Sequence, residues 1–254
     1  MWFLDGMGII FTHKKALATC MKFSKKELWS ILLDAAFFFS IAPLFYLWAG
    51  VMFTRIQKVA TIDLFGVHEL NMAAMVDAQS KLFGFLVFVV VSLIIFFLLG
   101  LFIYALTHYA KWNIIFKKKF SKQQFKLFYL VSLVNLLPWF ILFIGLFVYL
   151  GEIGAIIFAF LYIIGGYFHS IGKLSVYHHR TVWKVIKEQY VLGFTKLPTF
   201  IVAFFLVGII YYIIFTLLGM LLSIQMVTLI IMVVYGFMAL VVRKYFGKVY
   251  ELTR

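Results

Sequence analysis

Asp34 and His169 are the side chains best suited to proton chemistry, because both fall inside otherwise apolar stretches. An ionisable group in such a stretch is costly to desolvate, and it points to a function or to a buried partner. A carboxyl and an imidazole can exchange a proton near neutral pH. Asn135 and Tyr235 add a polar group from each of two further apolar stretches. At 1.5 Å of rise per helical residue, Asp34 lies about 9 Å and Asn135 about 12 Å into its stretch. His169 stands one turn before Lys173, and Tyr235 stands two turns before Arg243. Four polar side chains from four helices are therefore expected at a similar depth, where they would form a pocket open to one side. The competing expectation is interhelical hydrogen bonding that only holds the helices together.

Enzyme motifs are absent. The chain contains no GxSxG, P-loop or GxGxxG pattern. His68-Glu69-Leu70-Asn71-Met72 begins like the HExxH zinc motif but has Met72 where the second histidine is required. The acidic and histidine residues of the stretch between Arg55 and Lys81 have no metal-ligand spacing, and Cys20 is the single cysteine. The expectation is a protein that is not an enzyme and has no metal or cofactor.

The elements that must position these residues follow from composition. Of 254 residues, 65% are hydrophobic and 13% charged, against about 25% charged in a soluble domain. This describes an all-α integral membrane protein, one membrane domain over residues 1–254 with no soluble domain. A span needs about 20 mostly apolar residues. Six stretches qualify: Leu28–Phe53, Leu82–Ala110, Leu127–Leu150, Ala155–Gly172, Thr199–Leu222 and Met226–Val242. The first apolar stretch, Trp2–Phe11, contains Asp5 and has no basic region before it, so a signal peptide is not expected.

Charge sets the orientation. Of the 23 basic residues, 20 fall before the first span, between spans two and three, between spans four and five, and after the sixth. Only Arg55, Lys58 and Lys81 fall on the other side. The positive-inside rule then places both termini in the cytoplasm of a cell and the chain in its membrane. The net charge of +14 is explained by that rule and does not call for nucleic acid.

A recurring tripeptide marks helix entry: Phe23-Ser24-Lys25, Phe120-Ser121-Lys122 and Phe194-Thr195-Lys196. Ser24, Ser121 and Thr195 are expected helix caps, since a hydroxyl can accept from the unpaired N–H groups of a first turn. Glu27 and Gln124 complete capping boxes three residues on, whereas the third copy has Pro198 there. The chain thus reads as three helical hairpins, with pseudo-repeat units 1–110, 111–177 and 178–254. Before the second and third hairpins, Lys111–Phe120 and Arg180–Phe194 alternate aromatics with basic residues, as interfacial amphipathic helices do. Lys117, Lys118, Lys119, His178, His179 and Arg180 are candidates to hold the phosphates of anionic lipids.

Two functions are compatible with this pattern. One is a small transporter or channel-like protein working through a pocket of Asp34, Asn135, His169 and Tyr235. The alternative is a non-transporting protein that binds anionic lipids or scaffolds partners through its basic interfacial helices. The expected surroundings are the lipid bilayer, with a homo-oligomer left open.

Overall fold

A computed structural model of the chain describes residues 2–20, 22, 24–60, 72–221 and 224–254. Every regular element among them is an α-helix: α1 (Trp2–Cys20), α2 (Lys25–Ala60), α3 (Met72–Ile115), α4 (Lys122–Ser175), α5 (Val182–Thr195), α6 (Leu197–Leu221) and α7 (Ile224–Thr253). Three stretches of helix are long and apolar enough to cross a membrane: Lys25–Val59, Gln79–Ile115 and Lys122–Leu146. A fourth is added if α5 and α6, which meet at 83°, are counted as one broken span. The described residues form two compact units, Met1–Ala35 with Ala105–Arg254, and Ala36–Tyr104.

Within Ala36–Tyr104, large aromatic side chains link the facing parts of α2 and α3. The Trp48 ring lies 5.2 Å from that of Phe96, and its indole N–H donates to Ser92 Oγ at 3.4 Å. Ile41 reaches to where a Cβ on Gly100 would stand. Phe39, Tyr46 and Phe83 point outward and are highly exposed, as suits helices whose solvent is hydrocarbon.

The larger unit is built around α4. Although it is one run of 54 residues, α4 contains Gly151 at φ 55°, ψ −129°. Only glycine adopts that conformation readily. Residues 122–150 and 152–175 are therefore two helices, and side-chain contacts show that they run antiparallel. The rings of Phe143 and Phe158 are 4.9 Å apart. A Cβ on Gly165 would overlap the Trp139 indole, and one on Gly172 would overlap the Gln189 amide beside Asn135. Glycine at 165 lets the two arms approach closely, and glycine at 172 leaves room for Gln189 of α5. Gly151→Ala is expected to cost about 1–2 kcal/mol through backbone strain alone, since nothing lies within 4 Å of a Cβ there. Thermal unfolding of the purified protein in detergent checks this.

The caps differ among the three tripeptides. At α2 the Glu27 N–H donates to Ser24 Oγ at 3.3 Å, and the Ser24 N–H donates to Glu27 Oε2 at 2.7 Å. At α4 the Gln124 N–H donates to Ser121 Oγ at 3.5 Å, but the Ser121 N–H donates to the buried Tyr109 hydroxyl at 3.2 Å. Thr195 does not cap α6. It is the last residue of α5, and its hydroxyl donates back to Val191 O at 2.7 Å. Only Lys196 separates α5 from α6, so Thr195 keeps helical backbone and cannot take the extended conformation of a cap.

The stretch Lys111–Phe120 is not a separate helix. Lys111–Ile115 form the last turn of α3, and the chain then turns. Lys111, Trp112 and Asn113 are buried, because this end of α3 lies inside the unit. The opposite surprise is α7, which continues past Val242 to Thr253 and packs along α1. The His13 ring meets the Tyr245 hydroxyl there at 2.5 Å. Burial lowers the pKa of His13 and pushes Tyr245 up to about 12.

Candidate functional site

Asp34 sits near the start of α2, where the helix is otherwise apolar. A carboxylate there needs cations at its own depth. α3 supplies Lys111 from its last turn, whose ammonium donates to Asp34 Oδ1 at 2.6 Å. α7 supplies Arg243, whose Nη1 donates to the same oxygen at 2.9 Å while Nη2 donates to Oδ2. The guanidinium fork thus engages both carboxylate oxygens, the geometry in which arginine pairs most specifically. Asp34 is 7% exposed, Lys111 0% and Arg243 8%. Two cations share one anion. The triad itself carries one positive charge in excess, from Lys111 and Arg243 against Asp34.

Asn135 is engaged elsewhere. Its Nδ2 donates to Gln189 Oε1 at 3.0 Å, and Gln189 Nε2 donates to Asn135 Oδ1 at 2.8 Å. This closed amide pair joins α4 to α5, with Gln189 1% and Asn135 9% exposed. His169 is buried on the returning arm of α4. The side chain of Tyr235 lies outside the described residues, as do Asp63, His68 and Glu69. The geometry therefore separates Asp34 and Asn135 into two polar contacts, one ionic and one neutral. Among the described residues, no group of three or more His, Cys, Asp or Glu is arranged to hold a metal ion.

Lys111, Arg243 and Gln189 carry these contacts and were not singled out from sequence. A signal for the first two existed. Asp34 requires a cation, and Lys111 and Arg243 are the first basic residues after two apolar runs. Their long side chains can reach several ångströms back along the helix. Gln189 had no comparable signal.

The basic candidates divide by position. Lys117, Lys118 and Lys119 are exposed where the chain leaves α3. Lys118 donates to Tyr177 O at 3.1 Å, and its ammonium stands 5.1 Å from the Tyr177 ring centroid. His178 and Arg180 are exposed. His179 Nε2 is 2.7 Å from Glu188 Oε2, and Arg254 Nε donates to the other oxygen at 2.8 Å. Burial and the neighbouring cations Arg254 and Lys118 lower the pKa of His178.

No protein-family model, curated protein or solved structure matches this chain.

Proposed function

We propose that the chain crosses a cell membrane six times, with both termini and most of its basic residues in the cytoplasm, and that it binds anionic lipids there without transporting a solute. One observation carries this reading, the two faces of α5. Val185, Gln189 and Gly193 are its buried residues, while Trp183, Tyr190 and Phe194 are 78%, 45% and 66% exposed. A helix that turns a Trp, a Tyr and a Phe outward beside Lys184 and Lys187 suits the headgroup layer, where amphipathic aromatic rings concentrate. Lys117, Lys119 and Arg180 add exposed positive charge that anionic headgroups would attract.

A second reading keeps transport. It is favoured by the excess of one cation at Asp34, where Lys111 and Arg243 share a single carboxylate, a charge that an anion passing through the bundle would neutralise. Against it, both oxygens of Asp34 are occupied by Lys111 and Arg243.

Brominated lipids quench tryptophans at bilayer depth. In liposomes, quenching of the full protein is expected to exceed that of Trp183→Phe. Equal quenching in the two would remove the interfacial placement of α5. Solute or ion flux into the same liposomes that disappears in Asp34→Asn, with the protein still folded, would replace the lipid reading by transport.

A further inference from the structure

A cavity of about 390 Å³ opens between the end of α1, the start of α2, the turn after α3 and the C-terminal part of α7. That volume is in the range of small-molecule sites. Four lysines line it, Lys22, Lys117, Lys244 and Lys248. Two carboxylates also line it, and each is committed: Glu27 to Lys244 at 3.0 Å and Glu251 to Lys248 at 2.9 Å. Lys22 and Lys117 have no acidic partner among the described residues. The lining therefore carries two positive charges in excess.

Lys117 has a further peculiarity. The Lys118 N–H donates to Asn113 O at 2.9 Å, and the Lys117 N–H donates to Ile114 O at 3.2 Å. This is the Schellman pattern at the end of α3, and Lys117 occupies its left-handed position at φ 53°. Glycine is the usual residue there because a side chain is strained in that conformation. The lysine at this point is one of the residues that line the cavity. Ser24 adds a hydroxyl whose oxygen already accepts from the Glu27 N–H, which leaves its proton for a ligand. Phe116 and Ile115 form an apolar wall.

We propose that this cavity binds a phosphate monoester. Near neutral pH such a group carries about −1.5 to −2 charges, matching the excess of the lining, whereas a phosphodiester carries one. Lysines suit phosphate as point charges, and no arginine fork for a planar carboxylate lines the cavity. The site specifies a headgroup within the anionic-lipid reading above and rests on it in that respect. The same chemistry is offered by a lipid such as phosphatidic acid and by a soluble phosphate.

The test is native mass spectrometry of the full chain in detergent, titrated with dioctanoyl phosphatidic acid, phosphatidylglycerol and phosphatidylcholine. Phosphatidic acid is expected to bind most tightly, and Lys22→Gln with Lys117→Gly is expected to weaken it at least about tenfold, with phosphatidylglycerol unchanged. Lys14→Gln with Lys15→Gln, two exposed lysines away from the cavity, is expected to leave it intact. Lys117→Gly alone separates binding from folding. It relieves the strained position, so its unfolding temperature is expected to stay level or rise while its affinity for phosphatidic acid falls. Competition by inorganic phosphate assigns the cavity to a soluble anion, and failure to compete assigns it to the lipid; both outcomes support the site. Equal affinity for the two anionic lipids, or wild-type binding by the Lys22→Gln, Lys117→Gly protein, overturns it. Quenching at Trp183 is read independently, so the site and the wider lipid reading fail separately.

Discussion

Asp34→Asn is expected to lower the unfolding free energy by about 3–5 kcal/mol, the usual cost of removing one partner from a buried ion pair. The substitution preserves shape and deletes only charge. It leaves Lys111 at 0% exposure and Arg243 at 8% facing each other with no carboxylate between them. Replacing all three together gives the opposite expectation. Asp34→Leu with Lys111→Met and Arg243→Met removes every buried charge of the triad, and apolar substitutes for a buried ionic group are often neutral or stabilising. The comparison is made by thermal or denaturant unfolding in detergent. An Asp34→Asn protein within about 0.5 kcal/mol of the parent would mean that the triad opens to water. A triple variant as unstable as the single one would mean that charge is not what binds these helices.

Gln189→Ala is expected to cost about 3 kcal/mol. Part of this is the cavity left by a side chain that is 1% exposed. The rest is the Asn135 amide, which loses both an acceptor and a donor and is left unsatisfied in an apolar setting. A cycle with Asn135→Ala isolates the pair. Its coupling is expected to be about 1 kcal/mol, in line with side-chain hydrogen bonds between membrane helices. Strict additivity of the two single losses would show that the amides stabilise the fold separately, as space-filling groups only.

These two contacts show what could be read before the structure. The helical class and the place of Asp34 within the apolar helix α2 followed from the apolar runs. Lys111 and Arg243 did not, because the positive-inside rule absorbed them as part of a loop count. A charge that orients a chain can also turn inward, and position along the chain does not distinguish the two. In α5 the amphipathic pattern was visible, yet its sense ran the other way from a soluble helix. The face chosen for burial in a soluble protein, with Trp183, Tyr190 and Phe194, is exposed. The narrow stripe of Val185, Gln189 and Gly193 is buried instead. Small and hydrogen-bonding residues thus mark the face of α5 that packs against the rest of its unit, as they do where helices approach closely. Thr195 failed as a cap for a local reason: sequence shows a hydroxyl before an apolar run but not that the preceding helix continues through it.

Arg243 also dates the completion of the fold during synthesis. Its contact with Asp34 spans 209 positions, against 77 for Lys111, and the neighbouring contact of His13 with Tyr245 spans 232. A ribosome adds roughly 5–20 residues per second, so the Asp34 carboxylate waits roughly 10–40 s for its guanidinium. Lys111 arrives in less than half that time and is the only one of the two cations able to hold the carboxylate meanwhile. A ribosome stalled before codon 243 would therefore leave a nascent chain in which Lys111 alone pairs with Asp34 and the latch to α7 is still unmade.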